Sequence, residues 1–204
     1  MMKIKVCGIT RLEDAIRAAD LGASAIGFVF WPKSRRYVEP VLAAKIARRL
    51  PADVAPVGVF VNANVEEIGR IASAVGLSAI QLHGDELPTV CDELSYRIIK
   101  AIGVDRMSIK AQVNRVPLDT TVLLDAHDPV RRGGTGRSID WDIAASVAAT
   151  RRVFLAGGLG PDNVAEAIRV VRPYGVDVSS GVEASPGKKD VSKLREFFDE
   201  VQQV

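Results

Sequence analysis

The chain has 204 residues, of which 48% are apolar, 25% charged and 5% aromatic. That length suits one domain, or at most two small ones, with a sizeable core. A net charge of +2 argues against nucleic acid or a membrane surface as a partner. The two cysteines make neither a disulfide framework nor a zinc spacing. No apolar run reaches the roughly 18 residues of a spanning helix, and the N-terminus lacks a signal-peptide apolar segment. A cytoplasmic protein is the expectation.

Ile4 and Val6 alternate with Lys3, Lys5 and Cys7, so a first strand sends the lysines and the thiol to one face. Thr10, three residues before Glu13, has the spacing of a capping box and opens a helix over 11–21. The continuous apolar run 25–30 reads as a parallel strand buried on both faces. A loop over 31–37 follows, then Pro40 near the start of a helix that runs to 50. A third strand covers 56–61, and Asn64 with Glu67 caps a helix ending near Gly76. A fourth strand, 79–82, exits through His83 and Gly84 into a short helix through Glu93. Strand five covers 97–101, with a helix within 105–114. Strand six, 121–125, leads to the glycine-rich loop of Gly133, Gly134 and Gly136. After strand seven, 152–156, Gly160-Pro161 opens a helix that stops before Pro173. Strand eight, 175–178, leads through Ser179, Ser180 and Gly181 to a last helix from about Asp190.

Eight strand-then-helix units at roughly 25-residue spacing point to the α/β class and a single parallel eight-stranded (βα)8 TIM barrel over 1–204. An open doubly wound sheet is the alternative. It would need two edges managed, and no G-x-G-x-x-G follows the first strand.

In such a barrel the strand ends converge on one mouth, where the chemistry sits. Two of those ends carry proton-transfer groups on opposite sides of the ring, Cys7 and Asp125. A thiolate acts as a base when a cation lowers its pKa. Lys5 shares the strand face with Cys7 and is placed to do this, or to be neutralised by Asp177 on the neighbouring strand. Asp125 is an acid–base candidate or a carboxylate capping the next loop's amides. Gly157 and Gly158 after strand seven, and Ser179, Ser180 and Gly181 after strand eight, put small residues where backbone amides meet an anion. Barrels hold phosphates at these two loops. Gly133, Gly134 and Gly136 offer a second anion cradle or a lid. Arg35 and Arg36 are forks for a carboxylate or phosphate, or else a solvated basic loop. His83 is an acid, base, hydrogen-bond donor or packing residue. Trp31 and Tyr37 wall an aromatic substrate or pack their loop, and Cys91 falls in a helix outside the barrel with no role.

Together these blocks resemble the phosphoribosylanthranilate isomerases. The likeness runs through Lys5-Val6-Cys7-Gly8-Ile9-Thr10, Pro32-Lys33-Ser34-Arg35-Arg36-Tyr37, Gln81-Leu82-His83-Gly84, Leu124-Asp125, Gly133-Gly134-Thr135-Gly136 and Asp140-Trp141. It closes with Leu155-Ala156-Gly157-Gly158-Leu159 and Asp177-Val178-Ser179-Ser180-Gly181-Val182-Glu183, and Ile139 departs from the aromatic residue usual before Asp-Trp. The resemblance implies an Amadori rearrangement of N-(5-phosphoribosyl)anthranilate with Cys7 as general base and Asp125 as general acid. It implies that Arg36 holds the anthranilate carboxylate, with Gly157, Gly158 and Ser179 to Gly181 around the phosphate. His83 and Asp177 complete the expected substrate site. No metal or organic cofactor is implied, the expected partner is the phosphoribosyl substrate, and the chain is expected to work as a monomer or homodimer. Two rivals are a related phosphosugar isomerase and a non-catalytic sugar-phosphate-binding barrel.

Overall fold

In a computed structural model describing residues 2–87, 89–104, 108–126 and 140–204, eight parallel strands close a barrel in sequence order. They are β1 (Lys3–Cys7), β2 (Ala25–Val29), β3 (Ala55–Phe60), β4 (Ala79–Leu82), β5 (Arg97–Val104), β6 (Thr121–Ala126), β7 (Val153–Leu155) and β8 (Gly175–Val178). Helices α1 (Leu12–Asp20), α2 (Pro40–Ala47), α3 (Val65–Val75), α4 (Thr89–Glu93), α5 (Ile109–Arg115), α6 (Trp141–Ala148), α7 (Val164–Val171) and α8 (Val191–Gln202) alternate with the strands. Strand β1 closes the ring, pairing Lys5 with Ala25 of β2 on one side and with Asp177 of β8 on the other.

The two-residue period of each strand sorts its side chains into two cores. Ile4, Val6, Ile26, Phe28, Val176 and Val178 join the core between sheet and helices. Ala25, Val57, Ala79, Ile99, Leu123 and Phe154 belong to a separate apolar cluster that fills the barrel. From mid-strand to the C-terminal ends, buried polar groups replace the apolar ones: Lys5, Gln81, Asp125 and Asp177. The barrel is therefore apolar below and ionisable at its mouth.

Local signals set most helix ends. The Asn64 side chain accepts from the Glu67 amide at 2.8 Å, Gly76 ends α3 at φ +77°, and Pro40 is the first residue of α2. Asp190 caps α8 by accepting from the Ser192 and Lys193 amides. Two starts depart from expectation. Helix α1 begins at Leu12 behind Arg11, with no side-chain capping bond. The Thr10 hydroxyl instead donates to the Gly187 carbonyl at 2.6 Å, and Glu13 pairs with Arg11, so a tertiary contact overrides the capping box. Helix α7 begins at Val164 rather than at Gly160-Pro161. Asn163 closes a turn first, accepting from the Gly160 amide and donating to the Gly158 carbonyl.

One segment falls outside the strand-then-helix pattern. After β8 the chain makes a 3-10 turn over Ser180–Val182, then an antiparallel hairpin of β9 (Glu183–Ser185) and β10 (Lys188–Lys189). Gly187 sits in its turn at φ +82°. The Pro186-Gly187 dipeptide is the sequence signal for such a turn. Cys91 is buried in α4 against the outer core, apart from the barrel interior. The loop of Gly133, Gly134 and Gly136, and Ile139, lie outside the described residues.

Candidate active site

Cys7 ends β1, buried against Val29, Val59 and the partly exposed Trp31. A methyl group on the facing Gly27 would lie 2.8 Å from the Cys7 Sγ and 3.2 Å from the Lys5 Nζ, so thiol and ammonium turn over the same spot. Lys5 is wholly buried and donates to Asp177 at 2.7 Å. Both sequence readings of Lys5 thus meet in one geometry. Burial works against the Lys5 charge, yet the Asp177 carboxylate and the neighbouring Cys7 outweigh it and hold the ammonium above its ordinary range. Burial also pushes the Cys7 thiol up, with Lys5 opposing and Asp177 adding to the rise. Alkylation of Cys7 by iodoacetamide is therefore expected to lag a free cysteine at neutral pH and to climb into the alkaline range. Lys5→Met removes the cation that opposes this rise and should shift that profile to higher pH. An unshifted profile would uncouple the ion pair from the thiol.

Across the ring, Asp125 near the end of β6 is buried, and its Oδ2 lies 3.3 Å from the His83 Nε2. The other ring nitrogen, Nδ1, is 2.7 Å from the Gln81 Nε2. With the amide nitrogen donating there, the His83 proton sits on Nε2 and points at Asp125, an assignment made from the network. His83 is thereby a partner of the carboxylate rather than a packing residue. Gln81, whose role no sequence pattern marks, sets its tautomer.

The loops after β7 and β8 meet. Gly157 and Gly158 hold φ of +80° and +72°, and a methyl group on Gly181 would run into the Leu159 carbonyl oxygen. Only glycine at 181 lets the two loops touch. The Ser179 hydroxyl donates to the Cys7 carbonyl at 3.1 Å, tying β8 to the strand that carries the thiol. Of the two loop arginines, Arg35 is exposed, while Arg36 is half-buried and gives its Nε and Nη2 to Glu183 at 2.8 and 2.6 Å. Lys189, which no sequence motif singled out, is buried with its Nζ 2.7 Å from the Cys7 carbonyl oxygen. The mouth thus gathers a thiol, a carboxylate–imidazole pair, a guanidinium and a glycine-lined double loop. That set can move protons at two points of a ligand while holding its anionic ends.

The family model for N-(5'-phosphoribosyl)anthranilate isomerase matches residues 4–200. Over 200 residues the chain is 53% identical to the N-(5'-phosphoribosyl)anthranilate isomerase of Pelobacter propionicus, covering 97% of this chain and 94% of that one. A crystal structure of phosphoribosylanthranilate isomerase in complex with reduced 1-(o-carboxyphenylamino)-1-deoxyribulose 5-phosphate is similar over the whole of both chains, with a TM-score of 0.89 and 42% identity. So are monomers generated from the dimeric enzyme of Thermotoga maritima, with a TM-score of 0.89 and 41% identity over both full chains.

Proposed function

The chain belongs to the phosphoribosylanthranilate isomerase family, and from that premise we propose how its own residues divide the reaction. It is an isomerase of tryptophan biosynthesis, converting N-(5-phosphoribosyl)anthranilate to 1-(2-carboxyphenylamino)-1-deoxyribulose 5-phosphate. In the first step Asp125 gives its proton to the furanose ring oxygen as the C1′–O bond breaks. The anthranilate nitrogen supplies the electron pair, leaving a Schiff base. His83, donating to Oδ2, then holds the carboxylate that Asp125 has become. In the second step the Cys7 thiolate takes the C2′ proton, and the C–H electrons flow into the carbon–nitrogen unit to give an enolamine. Tautomerisation puts a proton on C1′ and a ketone at C2′, so the net change is an isomerisation. One observation carries this division: a buried thiol and a buried carboxylate end facing strands of one barrel mouth. Each such positioned group typically contributes about 10²- to 10⁴-fold in rate.

Arg36 binds the anthranilate carboxylate, and Trp31, packed beside Cys7, walls the aromatic ring. Asp177 holds Lys5 under the thiol. The phosphate lies on the amides of Gly157, Gly158, Ser179, Ser180 and Gly181, where the two loops touch. Gly181→Ala, which forces those loops apart, should raise KM about 10-fold with little change in kcat, as expected for the loss of charged hydrogen bonds made throughout the reaction. Steady-state kinetics check this, and an unchanged KM would move the phosphate elsewhere.

We place the protein in the cytoplasm as one catalytic barrel over 1–204, needing no metal, organic cofactor, nucleic acid or membrane. Among the described residues no helix is long and apolar enough to cross a membrane, and no cluster of metal-ligating side chains occurs. Monomer and homodimer are both compatible with the fold, the Thermotoga relative being dimeric. Expression in a bacterial strain lacking this isomerase is expected to restore growth without tryptophan. Absence of growth with folded protein present would contradict the assigned substrate.

A further inference from the structure

The hairpin after β8 carries two buried ionisable side chains that the mechanism leaves unused, Glu183 and Lys189. They face each other across the hairpin register, with the Lys189 Nζ 3.0 Å from the Glu183 Oε1. The Glu183 carboxylate also accepts the Nε and Nη2 of Arg36 and, at 3.3 Å, the Gly187 amide. The Lys189 ammonium further donates to the main-chain carbonyls of Cys7 at 2.7 Å and Ser179 at 3.1 Å. One run of charge-assisted hydrogen bonds therefore links the Arg36 fork to the strand end that carries the thiol.

Burying an ammonium and a carboxylate is costly, and an apolar pair of similar volume holds a hairpin as well or better. What the ionic pair adds is direction. A guanidinium gripped along its Nε–Nη2 edge cannot swing, and its Nη1–Nη2 edge is left for a second carboxylate. Burial opposes the Glu183 charge, but Arg36 and Lys189 hold the carboxyl below its ordinary range, so the grip stays ionised at neutral pH. Burial draws the Lys189 ammonium below its ordinary range, while Glu183 and Cys7 hold it up. The thiol is faced by Lys189 together with the Lys5–Asp177 pair, and the buried Asp14 carboxylate accepts the Lys189 main-chain amide at 3.0 Å.

We infer that Glu183 and Lys189 are positioning residues. Glu183 aims the free edge of Arg36 at the substrate carboxylate, and Lys189 ties that fork to the strand end bearing Cys7. The inference rests on the proposed role of Arg36 in holding the anthranilate carboxylate.

Steady-state kinetics of Arg36→Met, Glu183→Gln and the double variant test it, with thermal melting run alongside. Glu183→Gln is expected to raise KM about 10-fold with a smaller change in kcat, and to add nothing once Arg36 is methionine. Lys189→Met should lower kcat and move the Cys7 alkylation profile to higher pH, because a cation beside the thiol is lost; Lys189→Arg should restore part of both. Should Glu183→Gln fail to fold, Glu183→Asp keeps the charge one methylene short and is expected to raise KM less, again through Arg36 alone. A KM rise of equal size with and without Arg36, or a lower melting temperature with unchanged KM, overturns the inference and leaves the Arg36 role standing. An unchanged KM in Arg36→Met removes the carboxylate reading of Arg36, and the inference with it.

Discussion

Cys7→Ala is expected to lower turnover by about 10²- to 10⁴-fold, the usual contribution of one positioned base, while the barrel stays folded. The thiol is buried against Val29, Val59 and Trp31, so truncation removes a single sulfur from an apolar niche. The ion pair of Lys5 with Asp177 and the Lys189 bond to the Cys7 main-chain carbonyl do not require the sulfur. Serine is no substitute, because its hydroxyl has a far higher pKa than a thiol and the same burial opposes its ionisation. In the wild type, burial has already pushed the thiol up, so kcat/KM should rise with pH from the neutral into the alkaline range as the thiolate forms. Kinetics by loss of anthranilate fluorescence, with circular dichroism as the folding control, checks both statements. A folded Cys7→Ala or Cys7→Ser variant with near-wild-type turnover would exclude the thiol as the base.

Asp125→Asn is the second large effect, again a loss of about 10²- to 10⁴-fold for one positioned acid. Asparagine keeps the shape, and its amide oxygen still accepts from the His83 Nε2, so the network that reaches back to Gln81 survives. What disappears is a proton that can be delivered to the ring oxygen. Only ring opening needs that proton. Binding of an already opened, reduced product analogue should therefore stay close to wild type while turnover collapses, as competition assays would show. Weakened binding of the analogue in step with turnover would make Asp125 a binding residue instead.

The parts of this molecule that were legible in its sequence are those governed by near neighbours. The alternation of Lys3, Lys5 and Cys7 with Ile4 and Val6 marks β1 and aims the thiol inward, because the side-chain period of a strand is a local property. Asn64, Gly76, Pro40 and Asp190 mark helix ends by the same locality. Thr10 misleads because its hydroxyl finds the Gly187 carbonyl, a residue far along the chain. The hairpin announces its turn through Pro186-Gly187, but the burial of Glu183 and Lys189 depends on Arg36, Cys7 and Ser179 arriving from other units. Opposite charge on neighbouring strands marks the Lys5–Asp177 pair and the strand period puts Cys7 on the face of Lys5, while the packing adds that both turn over Gly27. Gln81 belongs to a block of the family likeness but has no role readable from sequence, and its bearing on the His83 tautomer appears only once β4 is in place.

The most direct test follows anthranilate fluorescence after N-(5-phosphoribosyl)anthranilate is generated in situ and wild type, Cys7→Ala or Asp125→Asn is added. Rapid loss of signal with the wild type, and loss near the uncatalysed rate with either folded variant, is the predicted result. Binding of the substrate by the wild type without loss of signal, or a variant as fast as the wild type, would contradict the account.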